Sequence, residues 1–330
     1  MKFPRRSFLQ LAAGTVVLPG ILRFAWAQTY PSRPVTIIVP FAAGGPSDVL
    51  ARVLGERMRK ELNQTVIVEN VSGAGGTIGV TRATRAAADG YTVSFGHLGT
   101  HVINGAIYPL TFDLLNDLEP VGLIGGNPQM VVSKNAVPAK SLKELIAWIK
   151  ANEATVTFGT AGIGSGSHFS GLYFQSLVGT KARYVPYRGT GPAMQDLIAG
   201  NIDIIVDQAS NAMPQVQGGK IRAYAVTARK RLAAGPDIPT VDEAGLPGYH
   251  IWLWSGLWVP KGTPKDVTTK LNAALRVALA DAGVLKRFAD LGLEAAAANQ
   301  QTPEALRAHQ KAEADKWWPM IKAAGVKPGG

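Results

Sequence analysis

Cysteine is absent from all 330 residues. Disulfides, thiolate metal sites and a cysteine nucleophile are thereby excluded, and stability has to come from core burial. An uninterrupted run of the ~20 apolar residues a membrane-spanning helix needs is missing as well. The nearest approach, residues 8–22, is broken by Gly14, Pro19 and Gly20. Acidic residues are scarce, 23 against 34 Lys and Arg, which gives a formal charge of +11. Those cations are scattered rather than striped, so nucleic acid is not an expected partner, whereas an anionic small ligand fits the balance.

Familiar catalytic signatures are missing too. No G-x-S-x-G elbow is present, since Ser165, Ser167 and Ser170 all lack a glycine two residues before them. His97 and His101 have helical ligand spacing, but no Glu stands between them and no acid follows before Asp113, so local hydrogen bonding at a helix start is expected there rather than a metal. His250 and His309 read as ordinary surface or core residues. Ser167 and His168 are sequence neighbours, and consecutive helical residues diverge, so they form no dyad.

What is present begins with an address. Lys2, Arg5 and Arg6 precede the short apolar run, and Ala25-Trp26-Ala27 is a small-x-small cleavage site, so residues 1–27 are expected to be an export signal cut before Gln28. Arg5-Arg6-Ser7-Phe8-Leu9-Gln10 resembles a twin-arginine signal, although paired arginines also occur in ordinary secretory signals. With Lys2, Arg5, Arg6 and Arg23 removed and no acid lost, the charge of +11 falls to +7.

The remaining chain suits two domains. Its pattern is apolar strand, Gly-rich turn, helix, repeated. Residues 35–39, 65–69 and 91–95 read as strands, with a helix over 46–62 and a small-residue helix ending near Ala88. Pro46 and Asp48 mark the first helix start. A second series has a helix capped by Ser141 with Glu144 completing a capping box, then strands at 156–159, 183–185, 202–206 and 221–226. Nearly all-apolar strands imply mostly parallel sheets covered by helices on both faces. The last third is a long aromatic extended stretch, 248–264, and three helices at 264–281, 284–291 and 303–324 that return to cover the first sheet. The chain then crosses between lobes near 126–131 and again near 249–257, which describes a hinged clamp. Trp252, Trp254 and Trp258 alternate at the second crossing, with Trp252 placed to reach the cleft; Trp317 and Trp318 read as packing.

Three turns follow strands: AAGGPSD, GAGGTIG and GIGSGSH. Ligands of open parallel sheets sit at such strand ends, where glycine admits close approach and helix N-termini present unpaired N–H groups. Three of them on two lobes favour a ligand cleft over tight turns alone. GAGGTIG is spaced G-x-G-G-x-x-G, and the acid expected ~20 residues on is missing, which weakens a dinucleotide site. Arg188, at the YRGTG turn, offers a guanidinium for a carboxylate, with a solvated surface arginine as the alternative.

Together the segments YPSRPVTIIVPFAAGGPSD, VIVENVSGAGGTIG, DGYTVSFG, VPYRGTGPAMQDLIAGNIDIIVDQ, IRAYAVTA, PDIPTVDEAGLP and GLWVPKGTP resemble the substrate-binding proteins of tripartite tricarboxylate transporters, the Bug-type periplasmic receptors. The resemblance runs over the whole mature chain. It implies an α/β, two-lobed type II periplasmic binding protein fold, each lobe a mostly parallel sheet flanked by helices, with two crossover strands as hinge. Lobe 1 is expected at 28–128 plus 252–330 and lobe 2 at 129–251. It implies no catalysis, no cofactor and no metal. It further implies a small carboxylate, often a dicarboxylate and open to an aromatic one, gripped at one end through backbone and bridging water by Phe41, Ala43, Gly44, Gly45, Ser47 and Asp48, with Gly75 and Gly76 alongside. His97 stands at a specificity-setting wall. The other end is expected on Thr160, Ala161, Ser165, Ser167 and His168, bordered by Tyr187, Arg188, Gly189, Thr190 and Asp207. The implied partners are membrane permease subunits, the location the periplasm, and the receptor a monomer. A sensor feeding a signalling partner and an exported dinucleotide-dependent oxidoreductase are the alternatives.

Overall fold

Three apolar strands, each followed by a turn and a helix, start the fold seen in the computed structural model, which describes residues 30–323 and 325–326. The expected export signal lies outside the described residues. β1 (Val35–Val39) pairs in parallel with β2 (Val66–Asn70) on one side and β3 (Thr92–His97) on the other. Between them, α1 (Pro46–Leu62) has proline in its first turn and Asn63 as a left-handed C-cap. It buries Leu50, Leu54 and Met58 on the sheet. α2 (Thr77–Thr84) follows and is shorter than the expected helix ending near Ala88. A wide turn, Gly99–Ile103, leads into the short α3 (Asn104–Ile107).

β4 (Leu118–Lys134) is a 17-residue strand and the spine of the molecule. Only residues near 126–131 are expected as an extended crossover, whereas the strand runs on through Pro120, Gly122, Gly125, Gly126 and Pro128. The strand tolerates them through register shifts between Pro120 and Gly122 and between Leu123 and Gly125. Its first part runs antiparallel to β9 (Trp252–Pro260), from Leu118 opposite Pro260 to Pro128 opposite Trp252, and β9 in turn pairs with β3. Its last part lies between β7 (Ile204–Gln208) and β8 (Ile221–Val226), antiparallel to both.

The second half-sheet continues in parallel from β7 to β5 (Thr157–Thr160) and β6 (Arg183–Pro186). Its helices are α4 (Leu142–Ala151), α5 (Gly166–Val178), α6 (Thr190–Ala199) and α7 (Ala209–Gln217). Ser141 caps α4 by accepting from the Glu144 N–H at 3.2 Å. The return bond of the box goes one residue further out, since the Glu144 carboxylate accepts from Lys140 N–H at 2.8 Å.

α8 (Lys265–Ala280) and α9 (Ala282–Asp290) cover the first half-sheet as expected, sharing one core with β1, β3, β9 and α1. A two-residue strand, β10 (Glu294–Ala295), adds to the edge of β4. α10 (Pro303–Ala323) does more than cover that sheet. Its Trp317 packs edge-on against Phe169 of α5, ring centroids 4.8 Å apart, so the last helix bridges the two halves. Trp252 is 38% exposed on an outer groove with Gly126 and Glu294, away from the cleft.

Candidate functional site

The carboxyl ends of β1, β3, β5 and β7 meet at one cavity between the halves. Its volume is about 330 Å³. From the first half come Phe41, Gly45, Pro46, Ser47 and His97. From the second come Ala161, Gly166, Ser167, Thr190, Asp207 and Gln208, and the crossing strands add Gln129 and Leu253.

The turn before α1 is built by its own residues. Gly44 sits at φ +81°, which glycine adopts without strain. The Asp48 carboxylate folds back to accept Gly44 N–H and Arg52 Nε–H, both at 3.0 Å. Burial pushes that carboxyl up, but the bonds from Arg52 and Gly44 outweigh it and hold it below 3.8. Asp48 therefore shapes the jaw from behind. Ala43 and Gly44 are exposed outside the cavity wall. The first intrahelical bond is Val49 N–H to Gly45 O, so the N–H groups of Ser47 and Asp48 precede the ladder.

The opposite jaw has the same chemistry. Ser165 caps α5, accepting His168 N–H at 3.3 Å. Ser167 Oγ accepts Ala161 N–H at 2.9 Å, tying the turn closed. Thr160 and Ser165 are buried behind this wall, and Thr160 Oγ1 accepts Gly162 N–H. The expectation for His168 is corrected: its buried ring turns away from the cavity, accepting Gly164 N–H on Nδ1 at 3.2 Å and meeting Tyr184 edge-on at 4.8 Å. One residue along a helix turns the side chain by ~100°, so Ser167 facing in puts His168 out. Arg188 is exposed, and its carbonyl, not its guanidinium, is engaged, accepting Ala42 N–H from the other half at 3.0 Å. Tyr187 is half-buried and donates its hydroxyl to Asp196 at 2.5 Å.

The glycines of GAGG are contacts rather than cavity wall. A Cβ on Gly75 would lie 2.1 Å from the Ile163 carbonyl across the cleft, and Gly76 packs on Thr100 and Phe41. Gly189 and Gly191 approach Ala42 and Gly45 in the same way.

His97 accepts Gly99 N–H on Nδ1 at 2.9 Å, so its proton is on Nε2. It stacks on Phe41 at 5.2 Å and is 3% exposed. Burial pulls its pKa down to about 4, which keeps it a neutral donor. Asp207, at the end of β7, accepts Gln208 N–H at 2.8 Å and Asn211 Nδ2–H at 2.5 Å. Burial pushes it up to about 6 against those bonds. Among the described residues, no Lys or Arg lines the cavity. Gln129, Gln208 and Leu253 were not singled out from sequence. For Gln129 a signal existed: with Asn127 it is one of two amides in a mostly apolar strand, both now fully buried with no amide atom bonded to protein.

Three histidines buried in their neutral form make the protein acid-labile. His97, His168 and His101 have pKa values of about 4, about 4 and about 3, all lowered from 6.5 by burial. The unfolded chain binds these protons first, so their contribution is complete above about pH 6.5 and is lost as pH falls toward 4. Asp207 acts in the opposite sense between 3.8 and about 6, one group against three. Urea unfolding midpoints should therefore drop steeply between about pH 6 and about pH 4; a flat profile would contradict the burial.

A family profile described as tripartite tricarboxylate transporter family receptor matches residues 50–326. A relative from Agrobacterium vitis, described as a UPF0065 protein in the TAR-I ttuE-ttuC' intergenic region, is 43% identical over 320 residues, 96% of this chain and 91% of its own. The periplasmic binding protein BugD superposes with a TM-score of 0.87 at 42% identity, covering 90% of this chain and 100% of that one. MatC of Rhodopseudomonas palustris, solved with bound malate, gives 0.86 at 39% identity, covering 88% and 100%. The oxidoreductase alternative falls with these matches. The chain belongs to the tripartite tricarboxylate transporter receptor family, periplasmic solute-binding proteins and not enzymes.

Proposed function

We propose that this receptor is exported by residues 1–27 and closes its two lobes, 28–128 plus 252–330 and 129–251, around a small carboxylate or dicarboxylate that it passes to membrane permease subunits. The observation that carries the reading is the wall chemistry. The cavity is met from both sides by the N-termini of α1, α5 and α6, and it contains no cationic side chain. Each such terminus contributes ~0.3–1 kcal/mol to an anion when exposed and up to ~2 when partly buried. Three of them supply much of the ~8 kcal/mol that micromolar binding requires. A ligand touching both jaws favours the closed form, and that population shift is what a permease would read. The malate held by MatC supports the substrate class.

A panel of mono- and dicarboxylates in a thermal-shift assay tests this. A binding acid at ~100 times its Kd should stabilise the fold by ~2.7 kcal/mol, with compaction in small-angle scattering and no turnover. No shift with any acid would sink the reading.

A further inference from the structure

Both walls of the cleft carry helix N-termini, and they differ in their side chains. The first-lobe wall presents donors: the backbone N–H groups opening α1 and the Nε2–H of neutral His97. The second-lobe wall carries the cavity's one acidic side chain, Asp207, 1% exposed. An ionised carboxylate has about four acceptor sites. Gln208 N–H fills one on Oδ1, Asn211 fills one on Oδ2, and the Thr190 hydroxyl stands beside them as a third donor. An acceptor direction is left over on a group that faces the cavity. Beside it Gln129 is fully buried with both amide atoms unpaired by protein. A bare second carboxylate seated on this wall would meet a like charge where water is excluded, with the N-termini of α5 and α6 but no Lys or Arg to offset it.

We infer that the cleft selects a small carboxylate bearing a hydrogen-bond donor, a hydroxyl or an ammonium, on the end that seats against lobe 2, and that Asp207 makes this selection. The inference rests on the proposal that the cleft is a carboxylate site. The donor fills the open site on Asp207, while the carboxylate at the other end takes the α1 terminus. Around Asp207, β4 contributes Met130, α6 Thr190 and α7 Asn211, none of them titratable. The titratable group across the cavity, His97, stays neutral above about pH 4, and Asp48 is turned away toward Gly44 and Arg52. With burial raising Asp207 to about 6, acidification removes the acceptor charge and should erode the preference for the donor-bearing acid.

Calorimetry on the full exported chain with acids matched in length tests this: propionate, lactate and alanine; succinate, malate and aspartate; glutarate, 2-hydroxyglutarate and glutamate. At whichever length binds, the hydroxyl or ammonium member should bind at least about tenfold tighter than the unsubstituted one, and Asp207→Asn should cut that ratio below about threefold. The hydroxyl and ammonium arms tell which donor the wall takes. Equal affinity for the unsubstituted acid, or a ratio unchanged in Asp207→Asn, overturns the inference and leaves the carboxylate reading standing; no binding in any series overturns both. The ratio in the unaltered protein, followed from about pH 8 to about pH 5, is a second readout that needs no variant. It should fall with pH, and a constant ratio overturns the inference.

Discussion

Replacing Gly191 with valine should leave both lobes folded and lower ligand affinity at least about a hundredfold, ~2.7 kcal/mol. Gly191 is the second residue of α6 and has no positive φ. It precedes Pro192, whose ring crowds a branched side chain on a helical residue, so valine weakens this first turn by about 1 kcal/mol without unfolding the lobe. The larger cost lies across the cleft. A Cβ at this position would stand 3.0 Å from Gly45 N, 3.1 Å from Gly44 C and 3.3 Å from Ala43 O. All three are backbone atoms of the opposite jaw, which cannot rotate aside, and the branched methyl groups reach further still. The jaws would have to part, breaking the Ala42 N–H to Arg188 O bond and separating the two sets of helix N-termini that a carboxylate must touch together. Calorimetry should show the loss, scattering should show no ligand-dependent compaction, and the melting temperature without ligand should fall by only about 2–4 °C. Affinity equal to that of the parent would mean that tight closure at Gly191 is not part of binding.

The turns of this clamp were legible because their signals are local. Pro46 and the spacing of Leu50, Leu54 and Met58 define α1, and the apolar run at Ile221–Val226 is found as β8. β4 was not legible in full, since a proline or glycine reads as a break unless a neighbouring strand absorbs it through a register shift, as β9 does. The same division runs through the site. That several N-termini converge follows from strand-turn-helix order, which a sequence displays. Which side chain faces inward depends on where a helix begins, to within one residue. Thus Ser167 lines the cavity while His168 turns to Tyr184, and Arg188 contributes a carbonyl instead of a guanidinium. Gln129 and Leu253 enter the wall from the two crossing strands, whose faces are set by pairing between segments more than a hundred residues apart. Nothing near either residue in the chain announces that pairing.

Trp258→Ala should cost about 3–5 kcal/mol of stability. Trp258 has no exposed surface, stacks on His101 at 4.1 Å and packs against Trp254 at 6.2 Å. Its indole N–H donates to Gln310 Oε1 at 3.1 Å. Gln310, on α10, uses its amide N–H groups to hold the carbonyls of His101 at 2.9 Å and Leu114 at 3.1 Å. Truncation therefore opens a cavity and leaves a buried acceptor without its donor, and both costs fall on one site. Against a typical total of ~5–15 kcal/mol, this is a large share, and the melting temperature should fall by on the order of 10 °C. Trp258→Phe keeps a ring on His101 but loses the N–H, so it should cost less, about 1–3 kcal/mol. The damage should also reach the cleft. His101 is fixed beside Thr100, whose hydroxyl accepts His97 N–H at 3.1 Å, and His97 is part of the ligand wall. At a temperature where Trp258→Ala is still folded, affinity should fall along with stability. A melting temperature within about 2 °C of the parent would show that the stack and the Gln310 bond do not hold the first lobe together.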